Sequence, residues 1–128
     1  MRLRVKRIVE IKPDAATVSF STHLGDASGQ WVGELPTVGG NYEVEIEVPG
    51  VLKWNTEISE TQRTVESVFE ENSQVCIVGR LQSIDDDGVA AIQLCNDILL
   101  VEIVGTPSSI PCEVLIRVPL LRLFDTRL

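Results

Sequence analysis

The chain has 128 residues, 44% of them hydrophobic, and a net charge of −8. That length fits one domain with a core of its own, and evenly spread apolar residues exclude an intrinsically disordered chain. An acidic surface works against phosphate backbones and anionic lipids, and no apolar run is long enough for a membrane-spanning helix.

The chain opens on Arg2, Arg4, Lys6 and Arg7, but no apolar stretch of signal-peptide length follows them. Cys76, Cys95 and Cys112 are odd in number and lack C-x-x-C spacing, which argues against a disulfide framework and a cysteine-based zinc site. A reducing cytoplasm is the expected compartment.

Alternation of period two dominates the elements in chain order. Leu3, Val5, Val9 and Ile11 form an apolar stripe opposite Arg2, Arg4 and Lys6, with a bulge expected near Arg7, where Ile8 breaks the phase. A second strand over 16–22 pairs back through Lys12-Pro13-Asp14-Ala15. The stretch from His23 to Asn41, rich in glycine and holding Trp31, reads as a long irregular loop. In Asn41–Pro49, Tyr42, Val44, Ile46 and Val48 alternate with Glu43, Glu45 and Glu47, the pattern of a half-buried strand with one wet face.

A strand over 51–58 carries Trp54. Ser59-Glu60-Thr61-Gln62 then matches a capping box, and Val65, Val68 and Phe69 follow at helical spacing, so one short helix is expected at about residues 60–71. The stretch 75–84, apolar on both faces at its start, reads as a central strand. Asp85-Asp86-Asp87-Gly88 is a turn leading to a strand over 89–94, and Cys95-Asn96-Asp97 leads to another over 98–104. Strands over 112–118 and 120–124 close the chain. The predicted fold is a single all-β domain over 1–128, a closed or partly open antiparallel β-barrel with one short helix.

Two further features bear on that architecture. Residues 42–49 and 112–119 share five of eight positions at an offset of 70, and Arg7, Ile11 and Asp14 match Arg80, Ile84 and Asp87 at an offset of 73. Two pseudo-repeated β-meanders, 1–58 and 75–128, are therefore one form the barrel can take, although alternating strands share such patterns by chance. The order strand–strand–strand–helix–strand–strand also resembles the OB-fold, a small Greek-key barrel. That resemblance rests on element order alone, and the strand count exceeds it by two or three.

Catalytic signatures are absent from the sequence. His23 is the only histidine, without a nucleophile-elbow motif near it, and reads as a solvated loop residue; the three cysteines read as small core residues. Asp85, Asp86 and Asp87 lack the ligand spacing of a calcium loop, so neither a metal nor a cofactor is expected. The candidate partner-binding residues are Glu43, Glu45 and Glu47, about 7 Å apart along one strand face, with the Asp85–Asp87 turn and Trp31 as a loop anchor. The competing expectation is that Arg2, Arg4 and Lys6 neutralise the glutamates across the sheet, and that Trp31 folds back to cap a barrel end.

Size, acidity and the lack of catalytic motifs are similar to those of immunity-type inhibitors, acidic proteins that neutralise basic toxins. On that reading the protein is not an enzyme and its partner is a basic, toxin-like protein. The alternative is an OB-like nucleic-acid-binding or assembly module, which would need a basic groove with exposed aromatics. Six Phe, Trp and Tyr residues scattered along the chain make nucleic acid the weaker candidate.

Overall fold

A computed structural model describes residues 1–126. They form twelve strands: β1 (Arg2–Ile11), β2 (Ala15–Thr22), β3 (Gly25–Val32), β4 (Asn41–Glu47), β5 (Val51–Lys53), β6 (Ile58–Glu60), β7 (Ser67–Glu71), β8 (Gln74–Ile84), β9 (Val89–Leu94), β10 (Asp97–Val104), β11 (Cys112–Val118) and β12 (Arg122–Asp125). The all-β barrel class expected from the alternation is present, and the described residues contain no helix.

The first sheet is a closed five-stranded barrel in the order β1-β2-β3-β12-β4, with β4 returning to β1. All its pairings are antiparallel except β3 with β12. The second sheet runs β5-β10-β9-β8-β11-β6, with β5 parallel to β10 and β7 added beside β8. A parallel bridge between Trp54 and Ile58 links its two edges. The two sheets thus share a pairing order: β1, β2, β3 and β4 occupy the places that β8, β9, β10 and β11 hold in the second. The place of β12 in the first is divided between β5 and β6 in the second.

The closing strands cross between the sheets. After β4, Val48-Pro49-Gly50 carries the chain out of the barrel, and β5 joins the second sheet; after β11, Val118-Pro119 carries it back, and β12 completes the first. Proline cannot donate to a ladder, so it sits where the chain leaves one sheet for the other.

One apolar cluster runs through both sheets, from Leu3, Val5, Phe20 and Trp31 to Ile77, Ile92, Val101 and Ile116. Among the described residues none that is polar or charged is buried. Burying each large apolar side chain contributes about 1.5–3 kcal/mol. In β8, Val75, Cys76, Ile77 and Val78 are all buried, as their unbroken apolar run implies for a strand covered on both faces.

Four sequence expectations need correction. Residues 51–58 are not one strand: β5 ends at Lys53, a turn covers 55–57, and Ile58 begins β6 at the other edge of the sheet. Residues 60–71 are not helical: Ser59 and Glu60 belong to β6, an irregular segment follows, and β7 pairs with β8 through a two-residue turn in which Asn72 and Ser73 have φ of 54° and 63°. Two consecutive positive φ values are the signature of a hairpin turn whose twist suits the flanking strands. Of the presumed helical face only Val68 is buried, and Val65 is 76% exposed. The stretch 23–41 is not one loop, because β3 occupies its first half. β1 has register shifts after Val5 and again after Ile8, so Val9 and Ile11 turn out to solvent rather than continuing the buried stripe.

Gly25 shows what the junction of the sheets demands. Its φ is +135°, and a Cβ there would overlap the carbonyl oxygen of Val68, whose own N–H donates to Leu24 O at 3.0 Å. Gly39 also has positive φ (+85°) but open space around it. Gly39→Ala is expected to cost about 1–2 kcal/mol for the left-handed backbone alone. Gly25→Ala adds a backbone overlap of the overpacking kind, itself about 1–3 kcal/mol. Urea denaturation of the two variants should therefore show Gly25→Ala as clearly the less stable.

Candidate functional site

Strand β4 places Glu43, Glu45 and Glu47 on its outer face, all exposed, while Val44 turns into the barrel. The expected neutralisation by Arg2, Arg4 and Lys6 does not occur, for a geometric reason. β1 and β4 are neighbours, but they share only three pairs, Arg2 with Glu43, Leu3 with Tyr42 and Arg4 with Asn41. The antiparallel strands run past one another, so Glu45 and Glu47 lie beside β12 instead, opposite Phe124 and Arg122.

Each charge then finds a different environment. The Glu43 carboxylate lies 3.6 Å from the α-ammonium of Met1, which also donates to Val44 O and lies 3.3 Å from Asp97. Glu47 meets the Arg122 guanidinium at 3.2 Å, both side chains about half exposed. Lys6 is held by Asp26 at 3.0 Å on the other side of the barrel. Among the described residues Glu45 has no ion-pair partner, and neither Arg2 nor Arg4 forms an ion pair. The Glu47–Arg122 and Lys6–Asp26 pairs, exposed on both sides, contribute about 0–1 kcal/mol and are screened by salt; the buried Met1 ammonium acts only at the Glu43 end of the row.

The acidic row forms one wall of a groove of about 630 Å³ where the two sheets meet. Its other wall is the start of β10, with Asp97, Ile98 and Leu100, and Phe124 extends the first wall. Alternation along β10 buries Leu99, Val101 and Ile103 and turns Ile98 (57% exposed), Leu100 (63%), Glu102 and Val104 outward. Val51 on β5, opposite Glu102, is exposed beside them. The site therefore combines a carboxylate rim with an uncovered apolar strip, whereas a solvated charged face would carry no such strip.

Asp97, Ile98, Leu100 and Phe124 are the lining residues that sequence reading did not single out. Their signal was the pair Ile98 and Leu100 on the same strand face as Glu102. Only the crossing of β12 and the meeting of the sheets bring that face to β4.

The other predicted site residues lie elsewhere. The Asp85–Asp87 turn closes the β8–β9 hairpin: Asp85 Oδ1 accepts the N–H groups of Asp87 and Val89, both at 2.9 Å, and Gly88 takes φ of +81°. Gly88 O accepts from Ile103 N, which places the turn beside the far end of β10 from Asp97, outside the groove. Asp86 and Asp87 are exposed there. Among the described residues no group of three or more His, Cys, Asp or Glu side chains could hold a metal ion.

Trp31 is 1% exposed, its ring edge-on to Tyr42 at 4.9 Å between centroids and its Nε1 donating to Glu34 O at 2.8 Å. It closes a barrel end from within and is no exposed anchor. Its polar context in sequence misled because Asp26, Ser28 and Gln30 alternate outward on β3 while Ala27, Gly29 and Trp31 face in.

No known protein family matches the chain, and no curated protein or solved structure shows a significant match.

Trp31→Phe keeps an aromatic ring but loses volume and the bond to the Glu34 carbonyl, and urea denaturation should show a loss of about 1–3 kcal/mol. Glu45→Gln, at an exposed position with no ion pair among the described residues, should stay within about 0.5 kcal/mol of the parent in the same assay.

Proposed function

We propose that the protein is a non-catalytic binding protein whose β4–β10 groove receives a basic, amphipathic segment of another protein. The observation that carries this reading is the groove itself. Glu43, Glu45, Glu47 and Asp97 line one cleft with exposed Ile98 and Leu100 and half-buried Phe124, and Arg122 is the only cationic side chain paired with that row among the described residues. A segment alternating Lys or Arg with apolar residues would satisfy rim and floor together. Charge would speed encounter and fix register, and the apolar strip would supply most of the contact energy.

The most concrete form of this reading is an immunity-type inhibitor. A basic toxin that acts on nucleic acid presents a cationic cleft, and a rigid row of carboxylates can stand in for the phosphates. The backbone of a strand in a closed barrel loses little conformational freedom on binding, which favours affinity. The exposed Asp85–Asp87 turn extends the negative surface along β10 and would meet a partner large enough to cover both ends of that strand. Three cysteines without a disulfide suit a reducing cytoplasm.

The OB-like nucleic-acid reading finds less support. OB-folds bind ligands over their second and third strands. In the first barrel that face carries Thr17, Ser19, Ser21, Asp26, Ser28 and Gln30, with no aromatic ring on which a base could stack. In the second sheet the corresponding β9–β10 face is the apolar strip of the groove, bordered by carboxylates.

The test is fluorescence anisotropy with a labelled eight-residue peptide alternating Lys and Leu, alongside a single-stranded DNA of similar length. The peptide should bind, and raising the salt from 50 to 200 mM should weaken it. The triple variant Glu43→Gln, Glu45→Gln, Glu47→Gln should lose at least about tenfold in affinity and most of the salt dependence. Leu100→Asp should weaken binding as well. Equal binding by parent and triple variant, or tighter binding to the DNA than to the peptide, would overturn the proposal.

A further inference from the structure

Two segments from distant parts of the chain, the β2–β3 turn and the irregular stretch before β7, converge on Cys95. The residue sits in the turn between β9 and β10, half-buried. Its Sγ lies 3.1 Å from Nε2 of His23, which stands exposed in the β2–β3 turn, 72 residues earlier. The Cys95 N–H donates to a carboxylate oxygen of Glu66, from the segment between β6 and β7. The turn that carries His23 is itself fixed, because Thr22 Oγ1 accepts from Leu24 N at 3.0 Å and donates to Gly25 O at 2.9 Å. The sequence reads as a solvated loop histidine and a small core cysteine; His23 is exposed, and Cys95 is half-buried with its thiol against the His23 ring.

We infer that Cys95 is a nucleophilic thiol with His23 as its base, forming a covalent modification site for soft electrophiles. The thiolate is the attacking species, and a base within hydrogen-bond reach of the thiol supplies it. With iodoacetamide, Sγ forms a bond to the methylene carbon, the carbon–iodine bond breaks, iodide leaves with the electron pair, and His23 Nε2 takes the thiol proton. Partial exposure of both side chains leaves a small reagent room to approach. This site is independent of the acidic groove, since none of its three residues lines that cleft.

The other two cysteines serve as controls within the same molecule. Cys76 is fully buried in β8, and burial pushes its thiol up despite the Arg117 guanidinium at 3.5 Å. Burial likewise pushes the Cys112 thiol up, with Glu60 and Glu113 adding to the effect. Neither has an imidazole beside it.

The experiment is limited alkylation of the full folded chain with iodoacetamide at pH 7, with the rate at each cysteine read by peptide mass spectrometry. N-acetylcysteine in the same tube is the reference. An ordinary cysteine is about 3% thiolate at that pH, so complete ionisation could raise its rate at most about thirtyfold, less the lower intrinsic reactivity of a weaker base. Cys95 is expected to react about five- to tenfold faster than the reference and faster still relative to Cys76 and Cys112. His23→Gln should bring Cys95 to or below the reference rate while leaving Cys112 unchanged. A parent Cys95 rate no higher than that of N-acetylcysteine would sink the inference without recourse to any variant. So would an unchanged Cys95 rate in His23→Gln, with slow labelling of Cys76 showing that the variant is still folded.

Discussion

The structure depends on two parallel strand pairings, β12 with β3 and β5 with β10, each made by a strand that has crossed from the other sheet. Parallel neighbours cannot be joined by a tight turn, so the chain must travel to make them. Here it travels between sheets. Without β12 the first barrel would present β3 and β4 as open edges; without β5 the second would expose β10. Each sheet therefore completes the other, and the continuous apolar cluster through both follows from that exchange. Neither sheet closes on its own sequence alone, which fixes the angle and spacing at which β4 and β10 face one another.

The groove is a consequence of this arrangement. Where the sheets meet, β4 turns its polar face outward, as any strand of a closed barrel with an apolar interior must. β10 does the same, but its outward residues include Ile98, Leu100 and Val104. The fold puts a charged outer face and an apolar outer face side by side, although neither is needed for the core. The described residues bury no polar or charged side chain, so their charged side chains lie at the surface, and the buried charge among them is the Met1 α-ammonium. The distribution of surface charge is uneven: Lys6 is held by Asp26 on the far side of the barrel, while among the described residues the row on β4 forms ion pairs only with Met1 and Arg122.

Much of the fold was legible because strands with one wet face carry a period-two pattern. The limits of β9 and β11, the Asp85–Gly88 turn and the central place of β8 all follow from such runs. The failures share a physical cause, which is that local pattern does not know what a segment will pack against. Ser59–Gln62 has the residues of a helix cap, but Ile58 and Ser59 are taken up by pairing with Leu115 and Ile116 of β11. Ser67–Glu71 sets Val68 beside Phe69 and Glu70 beside Glu71 and so carries no alternation, and its hairpin turn was hidden because Asn72-Ser73 lacks the glycine that usually marks two positive φ values. In β3, Gly29 packs against the Leu123 side chain of β12, so a glycine that looks like loop sequence is a close-approach position. Of the candidate site, the acidic row could be read directly. Its apolar counterpart and the Cys95–His23 pair could not, since both depend on contacts between sheets.

A comparison within the molecule bears on whether the acidic row is a structural need. At the offset of 70, β11 holds the place of β4, and Glu113 stands where Glu43 does. In both sheets an arginine of the neighbouring strand lies opposite, Arg2 for Glu43 and Arg80 for Glu113. In the second sheet the pair closes at 2.7 Å, Leu115 stands in the place of Glu45, and Arg117, in that of Glu47, pairs with Glu71 at 2.8 Å. That strand forms its ladder, buries Val114, Ile116 and Val118, and balances its surface charge locally. A strand in the same topological place thus does without three successive carboxylates. The row on β4 adds mutual repulsion that the fold must absorb, and all three of its carboxylate residues line the groove.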